Sequence, residues 1–274
     1  MPLIRQNRIS FMVRSLFSAA TGMHAQQKNV DNIANNLANV NTQGFRKGRI
    51  LFEDLLYQEI KVPGTTTATG MLHPTGIQEG LGVGVAAIEK IFSQGNFQYT
   101  ENPFDVTIQG DGFFQVNLPD GNIAYTRQGS FKIDGDGRLV TPQGYYIYPE
   151  ITLPDNLTEL NISTTGEVTG FIRGENEEVE IGQLTIARFI NPAGLYAMGE
   201  NLFLQTGVSG DAQVDNPGAD GGFGTLRQRY LEMSNVSVID EMVNMITAQR
   251  AYEMNSKAIQ TSDEMLQIAN GLKR

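Results

Sequence analysis

Residues 29–57 read NVDNIANNLANVNTQGFRKGRILFEDLLY. At about 3.6 residues per turn, Val30, Ile33, Leu37 and Val40 form one helical stripe, with Ala34 and Ala38 beside it. Along its edge runs a ladder of Asn29, Asn32, Asn36 and Asn39. Asparagine is a mediocre helix former, so the ladder wastes propensity unless its amides, each donor and acceptor at once, are used between helices. An uncharged ladder sets register without calling for a counter-charge. A solvated face that happens to be rich in asparagine is the plainer account of the same residues.

A partner for the apolar stripe lies at the other end of the chain. From Val238 a 4-3 spacing runs through Met242, Met245, Gln249, Tyr252, Ser256, Ile259, Asp263 and Leu266. The N-terminal segment carries the same spacing in Val13, Leu16, Ala20, Met23, Gln27, Val30, Ala34 and Leu37. Small and polar residues in both series make a seam too weak for a lone two-stranded zipper. In the first half of the C-terminal helix Val236, Val238, Ile239, Met242, Val243, Met245, Ile246 and Ala248 cover much of the circumference. A helix apolar on several sides has to be buried on several sides. One N-terminal partner cannot do that, and the surplus predicts contacts with further copies of the same chain.

Three N-terminal runs and one C-terminal run carry a resemblance. Ala34-Asn35-Asn36-Leu37-Ala38-Asn39, then Thr42-Gln43-Gly44-Phe45 and Phe52-Glu53-Asp54-Leu55-Leu56-Tyr57-Gln58, resemble the opening signature of the bacterial flagellar rod and hook family. The run from Val243 through Ala248-Gln249-Arg250-Ala251-Tyr252 to Lys257 resembles its closing signature. The likeness extends from Met12 to the end and is strongest to the distal rod branch. It implies a structural subunit that polymerises helically with itself into a hollow drive shaft passing motor torque to the hook. The partners it implies are other rod subunits, hook subunits and the surrounding rings of the cell envelope. It also implies a periplasmic rod location reached by flagellar type III export, largely unfolded and without a cleaved signal. The first eleven residues stand ahead of the family's usual opening at Met12, as a misassigned start codon or a short extension would leave them.

Composition bounds the reading independently. The chain has 274 residues, 40% hydrophobic and 18% charged, which is enough for one or two globular domains. It has no cysteine, so disulfides and thiolate chemistry are excluded. The net charge of −10 is unevenly placed: residues 1–61 carry 8 basic and 4 acidic groups, residues 62–230 carry 8 and 20, and residues 231–274 carry 4 and 6. An acidic middle argues against nucleic acid as a partner and suits a solvated outer surface. No stretch reaches the roughly 18 apolar residues of a membrane span. The opening MPLIRQNRISFMVRSLF lacks the apolar core and small-residue cleavage site of a secretory signal.

Along the chain, the pattern predicts an N-terminal helix over about residues 13–41, stopped by Asn41, Thr42 and Gly44. Residues 50–60 fit a short helix or an extended connector. The tract from Pro63 to about Val85 reads as a long loop or exposed hairpin. In the family, an insertion here reaches along neighbouring subunits and keeps the rod straight, and Pro63, Gly64, Gly70, Pro74, Gly76 and Gly80 mark it in this chain. Gly82-Val83-Gly84-Val85 lacks the flanking strand, helix and further glycines of a phosphate loop. From Val106 to Tyr148 the period changes to two, with turns at Pro119-Asp120-Gly121-Asn122 and Asp134-Gly135-Asp136-Gly137. The second turn resembles the start of a calcium loop but lacks the late bidentate glutamate. Further strands fit residues 159–162, 167–172, 179–189 and 201–205. Ser237 with Asp240 then signals a capping box, and the C-terminal helix is predicted over about 236–270.

The expected fold class is α+β, with long N- and C-terminal helices paired as a coiled coil and enclosing a mostly β middle domain. Residues 12–45 with 231–274 form the polymerisation domain, 46–90 the connector and extended hairpin, 91–230 the outer β domain, and 1–11 an extra segment. Self-assembly is expected to rest on Leu16, Met23, Val30, Ile33, Asn36, Leu37, Asn39, Val40, Val238, Met242, Met245, Ile246, Gln249, Tyr252, Ile259 and Leu266. His24 and His73 stand without a nearby His or Cys, no nucleophile elbow is present, and Glu177, Glu178 and Glu180 read as a solvated face. No catalytic, cofactor or metal site is therefore expected. The rival readings are a proximal rod or hook subunit, and a secreted β-domain binding module on helical stalks.

Overall fold

The computed structural model describes residues 3–61, 75–154, 156–172, 178–219 and 221–271. The chain divides into two compact units. Residues 1–37, 48–89 and 238–274 form a helical unit, and residues 38–47 and 90–237 a β unit.

The helical unit is built on α1 (Leu3–Ala38) and α2 (Val238–Gly271). Helix α1 extends ahead of the residue 13 expected from the periodicity and ends three residues sooner, where Thr42 N–H turns back to the Asn39 carbonyl at 3.1 Å. Asp240 and Glu241 lie in the first turn of α2, where negative charge complements the helix dipole. Between the helices in sequence come β1 (Gly48–Asp54), β2 (Tyr57–Lys61), β3 (Ile77–Gly80) and β4 (Val83–Lys90). Strand β1 pairs with β4, and β2 with β3 in antiparallel register from Tyr57↔Gly80 to Lys61↔Ile77. The open choice over residues 50–60 is thereby settled as extended chain. Of the marked insertion residues, Gly76 precedes β3 and Gly80 closes it, while Pro63, Gly64, Gly70 and Pro74 lie outside the described residues.

Three contacts give the relation of α1 to α2. Ser15 Oγ lies 3.4 Å from Ser262 Oγ, the Gly22 backbone lies against the Asn255 side chain, and Asn36 Nδ2 donates to Glu241 Oε2 at 3.2 Å. The residue numbers of each pair add to the same total, as an antiparallel register requires. Gly22 belongs in mid-helix for a packing reason, since a Cβ there would stand 2.9 Å from Asn255 Nδ2.

The β unit centres on a nine-stranded antiparallel sheet. Its main path runs Tyr196–Gly199, Leu202–Leu204, Ile123–Thr126, Phe113–Asn117, Tyr146–Tyr148, Leu139–Val140 and Lys132–Ile133. Ile186–Arg188 joins Phe113–Asn117 from the side and pairs in turn with Gln213–Asp215. A three-stranded sheet holds Leu157–Ile162, Glu167–Ile172 and Glu178–Gln183. The single strand expected over 179–189 is two. The chain leaves one sheet for the other at Leu184, which is fully buried and hydrogen-bonded to the Gly166 carbonyl at 2.7 Å. The Asp134 to Gly137 segment is a hairpin turn, closed by Gly137 N–H on the Asp134 carbonyl at 3.0 Å, and Arg138 pairs with both aspartates.

Phe114, Phe131, Ile147, Val168, Ile186 and Leu226 fill the main core, and Phe113, Tyr125, Phe189 and Phe203 form a second one with edge-to-face rings. The two ends of the unit's sequence are locked by Glu232. Its Oε1 accepts from Arg46 Nη2 at 2.7 Å and from Gly95 N–H at 2.8 Å, while Arg127 Nη1 lies 3.9 Å from Oε2. Its carbonyl accepts from Gly44 N–H at 2.8 Å. Gly44 has the left-handed φ of 69°, but α1 ends at Ala38, so Gly44 serves the turn into β1 and does not cap the helix as expected.

Glu232 and Arg46 are almost wholly shielded, so removing one partner strands a buried charge. Glu232→Ala is expected to cost about 3–5 kcal/mol in chemical denaturation of the β unit. Glu159→Ala, which releases the exposed pair with Arg229 at 3.8 Å, should change stability by less than about 1 kcal/mol.

Candidate functional site

The asparagine ladder splits by task. Asn32 and Asn36 are one turn apart on α1, and both Nδ2 groups donate to the Gly48 carbonyl at 2.9 Å. Asn36 Oδ1 accepts from Gly48 N–H at 2.9 Å, and its second N–H reaches Glu241 Oε2. One amide thus closes both hydrogen bonds of a buried peptide group at the start of β1 and ties the first turn of α2 to the same point. An aspartate could do neither donation and would face Glu241 with like charge. Asn29 Nδ2 bonds Gln26 within the helix, and Asn39 Oδ1 accepts from Thr42 Oγ1 at 3.1 Å at the helix end. The amides are therefore used, but at a three-way joint of helix, strand and helix instead of along a helix pair alone.

The inward face of α2 is small and polar. Glu241, Ala248 and Ser262 are buried, and Met245, Asn255, Ile259 and Leu266 are half-buried, again in 4-3 steps. On α1, Ala19, Ala25, Ile33 and Asn36 are buried and Leu16, Met23, Val30 and Leu37 half-buried. Asn39 and Val40 are half-buried within the β unit. Val238, Met242, Ile246, Gln249 and Tyr252 point outward in the single chain. The expected 4-3 series therefore shares Met245, Ile259 and Leu266 with the inward face and departs from it at the other positions. Periodicity counted Ala248 among the apolar residues of the circumference without marking it as inward, and it missed Glu241 and Ser262, whose polar side chains carried no apolar signal.

The first turns of α2 carry a cluster of exposed apolar residues. Val238, Ile239, Met242, Val243 and Ile246 form a stripe opposite the inward face, with Ile239 75% exposed. Further along the same side come Arg250, Glu253, Lys257 and Glu264, all exposed and charged. The β2–β3 ribbon exposes Tyr57, Ile60 and Ile77, and the chain leading into it exposes Phe52 on β1 and Leu56, which is 83% exposed. Asp54 accepts a hydrogen bond from the Tyr57 hydroxyl and raises its pKa, as an acceptor carboxylate does to a phenol. No group of three or more His, Cys, Asp or Glu residues placed to hold a metal occurs among the described residues. No helix among them is long and apolar enough to cross a membrane.

Three family descriptions match the chain. They are "Flagella basal body rod protein" over residues 16–46, "Flagellar hook protein FlgE/F/G D1 domain" over residues 107–170, and "Flagellar basal body rod FlgEFG protein C-terminal" over residues 227–272. Curated relatives include the flagellar basal-body rod protein FlgG of Borreliella burgdorferi, 56% identical over 96% of this chain and 100% of the relative. The protein of the same name from Buchnera aphidicola subsp. Schizaphis graminum is 51% identical over 93% of this chain and 98% of its own. That of Bacillus subtilis is 40% identical over 96% and 100%.

The joint predicts a graded response. Asn36→Leu leaves the Gly48 N–H unpartnered, strips Glu241 of its donor, and is expected to cost about 2–4 kcal/mol. Asn32→Ala, which leaves the Gly48 carbonyl still bonded to Asn36, should cost about 1 kcal/mol. Hydrogen exchange at the Gly48 amide reads this directly: it should speed up strongly in the first variant and little in the second.

Proposed function

The chain belongs to the flagellar basal-body rod family, as a structural subunit and not an enzyme, and from that premise we propose that it polymerises with itself into a helical tube, the distal part of the rod. The observation that carries this reading is the outward stripe Val238, Ile239, Met242, Val243 and Ile246. A helix whose inward face is already occupied keeps such a stripe only if something else covers it. Heterologous contacts that do not close generate filaments, so a second copy docked on this stripe repeats indefinitely. Asn39 and Val40, with the outward Gln249 and Tyr252, belong to the same proposed set of assembly residues.

Within each subunit α1 and α2 pair as an antiparallel coiled coil, a reading supported by the constant register of their three contacts and the 4-3 spacing of the inward face. Residues 12–45 with 231–274 make the tube wall, and residues 91–230 stand outside it. The β2–β3 ribbon is the base of the insertion that keeps the tube straight, supported by its unpaired apolar residues. Rod and hook subunits at the tube's ends and the rings around it are its further partners, the acidic middle of the chain facing the rings. The flagellar type III route delivers it to the rod.

Electron cryo-microscopy of the intact chain at raised concentration should show straight hollow filaments, and a chain lacking residues 236–274 none. Ile239→Asp with Ile246→Asp should abolish filaments and leave the monomer's melting unchanged, because both side chains are exposed before assembly. Filaments from the truncated chain, or a monomer at every concentration from the intact one, would refute the reading. Shortening the insertion by residues 62–74 should give bent tubes; tubes that stay straight remove its stiffening role.

A further inference from the structure

Within the β unit a recess of about 150 Å³ is lined by Phe92, Asp111, Phe113, Arg127, Arg188 and Ile190. Arg127 is the unusual member. It is 4% exposed, its Nη2 donates to the Gly110 carbonyl at 2.7 Å, and its Nε and Nη1 have no hydrogen-bond partner on the protein. Its guanidinium carbon stands 5.6 Å from the Phe113 ring centroid. Glu232 Oε1 serves Arg46 and Gly95, and its Oε2, which accepts no hydrogen bond, stands 3.9 Å from Arg127 Nη1 as a long ion pair. Arg188 spends one nitrogen on the Gly221 carbonyl, and Asp111 is exposed. The local set is therefore Arg46, Arg127 and Arg188 against Glu232 and Asp111, which leaves one positive charge uncompensated.

A shielded cation with unfilled donors carries a desolvation penalty that an incoming anion relieves. Burial pushes the Arg127 guanidinium down to about 10, which still leaves it charged at neutral pH. The other wall is aromatic, with Phe92 and Phe113 edge to face at 5.5 Å. We propose that this recess binds a monocarboxylate with an apolar body: its oxygens take N–H groups of Arg188 beside the shielded Arg127 charge, and its carbon skeleton lies on Phe92 and Phe113. A single uncompensated cation suits a monoanion better than a dianion, and the volume suits an acidic side chain or a small organic acid. The same chemistry can come from a carboxylate of a second copy or from a free solute.

The test uses the full-length chain at a dilution where it stays monomeric, with benzoate as the probe and ligand-observed NMR as the readout. Saturable benzoate binding is expected, with neutral benzamide at least about tenfold weaker. Arg188→Gln should weaken benzoate about tenfold while circular-dichroism melting stays unchanged. Asp111→Asn, an exposed change that removes a like charge, should tighten it severalfold, and keeps the test open should the arginine variant misfold. No saturable binding, equal binding of benzamide, or an Asp111→Asn variant no tighter than the parent overturns the proposal. With the site established, slower filament growth under saturating benzoate assigns it to a neighbour's acidic side chain, and unchanged growth assigns it to free organic acids.

Discussion

Buried backbone polar groups have to be hydrogen-bonded, and both the N–H and the C=O of buried Gly48 meet one side-chain amide. Asn36 accepts from its N–H and donates to its C=O, then gives its remaining N–H to Glu241. That residue therefore fixes where the chain leaves α1 for β1 and where α2 begins, although Asn36 and Glu241 are 205 positions apart. The geometry is demanding because the amide has no further donor to offer. Asn32, one turn earlier, doubles the contact to the carbonyl and shares its strain.

From that joint the helices run back with glycine, serine, alanine and asparagine set among the shielded Ile33, Met23, Met245, Ile259 and Leu266. Amphipathicity is thereby turned round. The inward side at Gly22, Ser15, Ser262 and Ala248 is small, and the outward side of the first turns of α2 is large and apolar. In the proposed assembly the larger hydrophobic gain comes when the outward stripe is covered.

Much of this was legible in the residues. The α+β class, the two terminal helices and most strands of the β unit follow from the switch between periods of 3.6 and 2, and the asparagine ladder announced that its amides had a use. The inward face of α2 was legible only in part. A periodicity argument selects large apolar side chains such as Met242 for the seam and passes over Ser262, whose hydroxyl carries no apolar signal. Glu232, Arg46 and Arg127 gave no signal either, because a buried ion cluster assembled from three distant segments looks in sequence like three ordinary surface charges. The break between 183 and 186 was hidden for a related reason: a strand that changes sheets keeps its β-branched composition throughout.

The lock at Glu232 also has a kinetic side. Gly44, Arg46 and Gly95 all wait for a residue that lies 186 positions beyond Arg46. Closing so long a loop carries an entropic barrier and makes the β unit rich in non-local pairings, the topology associated with slow folding. A chain emerging from its N-terminus cannot finish this unit until nearly all of it has passed. Such a chain stays pliable for most of its passage, and its closure is timed by the arrival of one carboxylate.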